Sequence, residues 1–292
     1  MVWCAYLGRV DADGLVVAEG DQAVATGRLV RNDLGDWFDP PQWVAGPGRP
    51  EGRQVRPVSK TAVRVTGADF GSLTGRFEKD GAVEGWATLT GTWSGGQFLA
   101  ARQEPPAPRP AALTPWVTPP CRPPEGGWPA GPRTTPELSR DLTELSETGA
   151  TVAVTWFRPG EDQTVLVVAA ADPAAVEARL RPRLGGSLCV VPSRWTKAQL
   201  DDVTSQLHQR AGQWNLSTIG RTRAGDGQAL IRADLVRVLP EIAAWARSLP
   251  AGSPGSPGSP GSPGSPGIVA FRPWLLPASA PPEPPAASGR PA

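Results

Sequence analysis

The chain has 292 residues, with 29 basic and 28 acidic side chains, 35 prolines and 34 glycines. This length suffices for two modest domains that each bury a core. The near-neutral charge balance gives no electrostatic reason to expect nucleic acid or an anionic membrane as the partner. No apolar run approaches the ~20 residues that span a bilayer, so we expect no membrane span.

The start of the sequence, MVWCAYLGRVDADG, has no basic leader and no long apolar core, so it does not resemble a signal peptide. As the sequence is written, we expect a cytoplasmic protein. The alternative is export, if the true start lies upstream.

Residues 1–104 are predicted to form an all-β domain. Short strand-like runs alternate with turn residues, and Lys79-Asp80-Gly81 is typical of a hairpin turn. Strands of this spacing predict a small closed β-domain, either an OB-like barrel or a sandwich. Glycines such as Gly91 fit bulges where a closed sheet turns a corner.

A loop is expected over residues 35–54. Its rings at Trp37, Phe38 and Trp43 suggest an aromatic contact patch for a partner. The alternative is that these side chains fold back and cover one end of the barrel.

Residues 105–134 form a proline-rich connector. Proline at this density favours an extended, stiff linker over a packed core. Cys121 and Trp128 lie inside it, however, and both residue types prefer burial.

The pattern changes over residues 135–277, where helix and strand signals alternate. Thr135 and Pro136 begin one helix, and Thr196 with Gln199 forms a capping box at another. From Ser187 onward the predicted order is β-α-β-β-α-β, which is the order of a ferredoxin-like α/β sandwich. We therefore expect an α+β chain, an N-terminal barrel followed by a ferredoxin-like domain.

Two low-complexity stretches lie near the C-terminus. Gly-Ser-Pro triplets occupy most of residues 252–267, where we expect a surface loop inserted between the last helix and the last strand. Residues 278–292 are rich in Ala, Pro and Ser and are expected to be disordered.

No constellation of residues indicates catalysis. The single histidine, His208, lies on a predicted helix, and no serine stands in a nucleophile motif to partner it. Three scattered cysteines supply no zinc set, and no phosphate-binding glycine loop is present. Asp201 and Asp202 begin a helix, where acidic residues are stabilised by the helix dipole. We predict that the protein is not an enzyme and uses no cofactor or metal.

Three short motifs resemble a family of uncharacterised bacterial proteins, many of them exported or lipid-anchored. These are TLTGTWSG (88–95), CRPPEGGW (121–128) and LRPRLGGSLCVV (180–191), and the resemblance extends over about residues 85–275. The resemblance implies a β-rich part, a connector and a second domain, and it supplies no catalytic residues. It also implies that Cys121 and Cys189 are partners, either as a disulfide or as two buried thiols.

Three functions remain open at this point. The preferred one is a non-catalytic binding or structural protein, whose partner is a protein or a small molecule. The alternative is an enzyme that uses carboxylate and arginine chemistry in a pocket between the domains. The third is OB-type binding of nucleic acid or oligosaccharide by the barrel, and the 11 basic and 13 acidic side chains of residues 1–104 argue against nucleic acid.

Overall fold

The computed structural model describes residues 12–41, 55–106, 118–131, 135–224, 226–249 and 267–279. Within these ranges the fold is α+β, with one seven-stranded sheet and two three-stranded sheets. Trp43, the Gly-Ser-Pro run and the C-terminal tail after Ser279 lie outside the described residues, as does Cys4. No helix in the described ranges is long and apolar enough to cross a membrane.

Five strands close into the predicted N-terminal barrel. The first six strands among the described residues are β1 (Gln22–Asn32), β2 (Gly35–Asp39), β3 (Val63–Thr66), β4 (Thr74–Lys79), β5 (Ala82–Ser94) and β6 (Gln97–Glu104). Strand β1 pairs with both β2 and β5, β2 pairs with β3, and β6 joins β5 to β3, with β3 and β6 parallel. Strand β4 forms a hairpin with β5 outside this ring.

Local turn chemistry explains two features of the barrel. Asp80 and Gly81 have positive φ angles of 53° and 77° in the β4–β5 turn, as the hairpin signal predicts. At Gly91 the pairing of β5 with β6 shifts register, and an added Cβ would lie 2.0 Å from the Leu99 carbonyl oxygen. Only glycine therefore allows this bulge.

The prediction of a loop over residues 35–54 is wrong for residues 35–39, which form β2. The pairing of Leu29 with Phe38 places the Phe38 ring in the barrel core, where it contacts Phe98. Asn32 and Gly35 bracket a hairpin turn between β1 and β2. The stability of this pairing comes from burial in the barrel, which a local composition signal does not report.

The remainder of the described chain contains the same order of elements twice. The first unit comprises α1 (Pro136–Glu147), β7 (Thr151–Phe157), β8 (Val165–Ala170), α2 (Pro173–Leu184) and β9 (Leu188–Pro192). The second comprises α3 (Lys197–Arg210), β10 (Leu216–Arg223), β11 (Ala229–Leu235), α4 (Pro240–Ser248) and β12 (Val269–Pro273). In each unit a hairpin is followed by a helix and a strand parallel to the second hairpin strand.

The helix starts follow the sequence signals. The Thr135 side chain accepts a hydrogen bond from the Leu138 amide, and Thr196 forms a complete capping box with Gln199. Asp172 caps α2, and proline occupies the first turn of α1, α2 and α4.

The predicted ferredoxin-like sheet is not confirmed. Strand β9, expected beside β10–β12, pairs instead with β8 in a first sheet of order β7-β8-β9, while β10-β11-β12 form a second sheet. Every residue of β8 is buried. Such a strand needs a partner on each edge and a cover on each face, and β9 supplies the second edge through the α2 crossover.

Each end of the described chain packs into the unit formed by the other end: the C-terminal end joins the barrel, and the N-terminal end joins the core of the second sheet. The short strand β13 (Leu276–Pro277) pairs with β1, and Trp274 and Leu275 lie in the barrel core. Conversely, the 3₁₀ turn Ala12–Leu15 packs into the core under the second sheet. This exchange places the barrel against one end of the second sheet.

Candidate functional site

A cleft of about 460 Å³ lies between the barrel and the second sheet. Its barrel wall comprises Pro40, Pro41, Ser59, Lys60 and Thr61. Its sheet wall comprises Leu216, Ser217, Thr218, Asp234, Leu235, Val236, Arg272 and Trp274. An apolar surface with a few converging polar groups is the usual composition of a small-molecule site.

A buried ionic network fixes the barrel wall. Arg28 lies between Gly27 and core-facing Leu29, so its side chain lies on the outer surface of β1. Nevertheless Arg28 is only 3 % exposed, and Asp39 and Glu84 beside it are 0 % and 3 % exposed. The Arg28 guanidinium donates to Asp39 Oδ2 at 2.6 Å and to Glu84 Oε2 at 3.0 Å.

Residues 55–61 cover this network and continue into the cleft wall. Arg28 also donates to the carbonyl oxygens of Arg56 and Pro57, at 3.2 and 2.8 Å. Ser59 donates its hydroxyl to Asp39 Oδ1. Because buried charges must be paired and hydrogen-bonded, these contacts hold the segment that presents Ser59, Lys60 and Thr61 in one position.

A second ionic group lies on the sheet wall. Asp234 lies between Arg232 on its own strand and Arg272 on β12, with its carboxylate 3.2 Å from Arg232 Nη2 and 3.7 Å from Arg272 Nε. The longer distance is an ion pair without a hydrogen bond, because 3.7 Å exceeds hydrogen-bond range. Asp234 Oδ1 and Arg232 Nε are buried atoms without a hydrogen-bond partner among the described residues.

The electrostatics of Asp234 follow from its position. Burial raises the pKa of the Asp234 carboxyl above its ordinary value, and the charges of Arg272 and Arg232 offset this effect only in part. A carboxylate held in this way has a lone pair that is unused for hydrogen bonding, on a residue that lines the cleft. Asp234 therefore brings a partly buried carboxylate, paired with two arginines, to the sheet wall of the cleft.

Trp274 connects the cleft to the barrel core. Its indole N–H donates to the Thr26 carbonyl oxygen at 2.9 Å, and its ring lies 4.5 Å from that of Phe38 between centroids. A Cβ at Gly27 would lie 2.8 Å from the Trp274 ring and 2.7 Å from the Asp39 carbonyl oxygen. Gly27 thus permits the close packing of Trp274 against β1.

The proposed aromatic patch is not assembled as expected. Phe38 is fully buried in the barrel core, so it is not available to a partner. Trp37 points to the opposite side of β2, where the Arg64 guanidinium stacks 4.0 Å from its ring. The third ring, Trp43, lies outside the described residues.

The structure joins Cys121 and Cys189 in a disulfide, with α-carbons 5.8 Å apart and a sequence separation of 68. Cys189 is buried in β9, and Cys121 and Trp128 pack against the same apolar face of the first sheet. The described part of the connector, residues 118–131, therefore lies on this face.

The cleft residues were not among those that the sequence singled out. Ser59 and Lys60 lie far from Asp234 and Arg272 in the chain, and only the tertiary fold brings them together. One signal was present: in β11, ALIRADL, two charged residues alternate with apolar ones in a strand that is buried on its other face.

No group of three or more His, Cys, Asp or Glu side chains in the described ranges is placed to hold a metal ion. No protein-family model, no curated protein and no solved structure matches the chain. The resemblance to exported bacterial proteins stays a prediction.

Proposed function

We propose that the protein is a non-catalytic binding protein that holds a small polar molecule in the cleft between the barrel and the second sheet. The observation that supports this function best is the convergence of two separately fixed polar walls. The buried Arg28 network fixes the hydroxyls of Ser59 and Thr61, and the Asp234–Arg272 pair faces them. Binding groups fixed before the ligand arrives lose little conformational entropy on binding.

Binding is favoured over catalysis by the small number of reactive groups. Asp234 is the only carboxylate among the described residues that line the cleft, and no histidine or cysteine belongs to this lining. Acid–base hydrolysis of a glycoside, for example, requires two carboxylates. The enzyme alternative would require Asp234 to act alone as a proton donor.

The barrel suggests a further candidate. Its order, β1-β2-β3-β6-β5 closing on β1 with one parallel pair, supports an OB-type barrel, and such barrels bind oligonucleotides and oligosaccharides on the β2–β3 face. On this face, however, Arg64 donates to the Leu34 carbonyl oxygen and stacks on Trp37. These partners leave little positive charge for phosphates and favour the cleft as the site.

The Cys121–Cys189 bond supports the exported alternative for localisation, because disulfides persist in oxidising compartments and are rare in the cytosol. This proposal is tested by quenching cells of the native host with acid, which stops thiol exchange, and then labelling the free thiols of the unfolded protein. We expect one labelled cysteine, and three labelled cysteines would contradict it.

A blocked cleft tests the proposed function. Thr218 is exposed and lines the cleft, so Thr218→Trp fills the cavity without disturbing either core. Arg223→Trp, on the same strand but outside the cleft lining, is the matched control. In a thermal-shift screen of polar metabolites with the full chain, compounds that stabilise the wild type should stabilise the control and lose their effect on Thr218→Trp. Equal stabilisation of all three proteins would contradict the proposal.

A further inference from the structure

The two α-β-β-α-β units allow the same sheet face to be compared in two copies. In the first unit, Leu166, Val168 and Ala170 of β8 pack against the helices. In the second, Ile231, Ala233 and Leu235 of β11 do the same. Successive side chains of a strand point to opposite faces, so the alternate residues of both strands form equivalent faces turned away from the helices.

The equivalent faces differ in chemistry. Strand registers pair Val167 with Cys189 and Ala169 with Val191 in the first sheet. The corresponding pairs in the second sheet are Arg232 with Ala270 and Asp234 with Arg272. Arg232, Asp234 and Arg272 therefore take the places of Val167, Ala169 and Val191.

The covers of the two faces also differ. The connector covers the apolar face of the first sheet through Cys121 and Trp128. The charged face of the second sheet opens in part to the cleft, through Asp234 and Arg272. The first sheet shows that this architecture needs no charge at these positions, and replacing a buried ion pair by apolar residues often stabilises a protein. The sheet itself therefore does not require these charges, and Asp234 and Arg272 present them to the cleft.

Charge counting identifies the chemistry of the ligand. Arg232 and Arg272 both pair with the carboxylate of Asp234, and Lys60 lies on the opposite wall. Within this group of four described side chains, cations outnumber the single anion. Arg232 stands behind Asp234 and is not among the described residues that line the cleft, whereas the Thr218 hydroxyl provides a donor on the sheet wall that also presents Arg272.

We infer that the ligand of the cleft is a small anion, carrying a carboxylate or a phosphate group that binds between Arg272 and Lys60. This inference rests on the proposed function and specifies its ligand class. Arginine binds either group through paired N–H donors, so the shared chemistry is a planar or tetrahedral oxyanion.

Calorimetric titration of the full chain tests the inference with three probes: inorganic phosphate, succinate and glucose. We expect phosphate or succinate to bind and glucose not to bind. The anion with the lower dissociation constant identifies whether the cleft prefers a phosphate or a carboxylate group. Arg272→Gln should weaken anion binding at least tenfold, and Lys60→Gln, at an exposed position that tolerates the change, severalfold. The matched control Arg221→Gln removes the same charge from an exposed position outside the cleft lining and should leave the affinity unchanged.

Asp234→Asn separates this inference from the alternatives by the sign of its effect. Removing the negative charge should tighten anion binding severalfold, because the ligand then interacts with Arg272 without competition from the carboxylate. If glucose binds and Asp234→Asn weakens it, the ligand is a neutral polyol: the anion inference fails and the proposed function stands. If neither anion binds the wild type, or if Arg221→Gln weakens binding as much as Arg272→Gln, the inference is overturned, while the Thr218→Trp screen still decides the proposed function.

Discussion

Replacing Arg28 tests whether the buried network fixes the barrel wall of the cleft. Arg28→Met keeps the apolar length of the side chain and removes its charge. The guanidinium makes four hydrogen bonds, to Asp39, Glu84 and two backbone carbonyl oxygens. Removing one partner of a buried ion pair costs about 3–5 kcal/mol of unfolding free energy, because the remaining charge stays buried without its counter-ion.

A compensated variant distinguishes lost charge from lost packing. Arg28→Met combined with Asp39→Asn and Glu84→Gln leaves this network without charge, while the amide oxygens still accept hydrogen bonds from Ser59 and the Arg56 amide. We expect this triple variant to regain more than half of the lost stability. Urea denaturation at neutral pH, followed by far-ultraviolet circular dichroism, measures both variants.

Arg31→Met is the control, since Arg31 lies on the same strand in a pair that is far more exposed. Exposed ion pairs contribute about 0.2–1 kcal/mol, so its effect should be small. If Arg28→Met costs less than about 1 kcal/mol, or costs no more than Arg31→Met, the network does not fix the barrel wall.

Three further outcomes follow from the structure. Gly27→Ala should lower the unfolding free energy by about 1–3 kcal/mol, since its Cβ would overlap the Asp39 carbonyl oxygen, and an unchanged urea midpoint would contradict this. Reducing the Cys121–Cys189 bond should cost up to about 4 kcal/mol in the loop-entropy model, and identical denaturation curves with and without reductant would refute it. Burial raises the Asp234 pKa, so the folded protein keeps this proton at pH values where the unfolded chain has released it, and stability falls as pH rises through that interval. Asp234→Asn should remove this decline, and parallel pH–stability curves would be inconsistent with it.

The parts of the fold that local chemistry determines were predictable from the sequence. The capping box of Thr196 and Gln199, the proline starts and the Asp80-Gly81 turn each involve residues within a few positions of one another. Alternating short strands were sufficient to predict a barrel over the N-terminal part.

The predictions that are wrong concern pairing between strands that are distant in the sequence. The order of elements along the chain does not specify which sheet a strand joins. The apolar pattern of β9 is compatible with pairing beside β8 and equally with pairing beside β10–β12. The loop prediction is wrong for Phe38 because its pairing partner, Leu29, lies across a turn that local composition does not indicate.

The candidate site could not be predicted from the sequence for a related reason. Ser59 and Asp234 lie on opposite walls of the cleft, and their proximity depends on Trp274 returning to the barrel core. The doubled order of elements is visible in the sequence once the hairpins are placed. Comparing β8 with β11 at equivalent positions would then have identified Arg232 and Asp234 as charges in unusual places.

The most direct test of the anion-binding cleft is nuclear magnetic resonance of the arginine Nε–H groups during titration with phosphate and with succinate. Assignment by single arginine-to-lysine variants identifies the signals of Arg232, Arg272 and the exposed Arg221. The cleft model predicts saturable shifts of Arg232 and Arg272 with one common dissociation constant, and no shift of Arg221. Shifts that appear equally at Arg221, or none at Arg232 and Arg272 while an anion binds elsewhere, would contradict it.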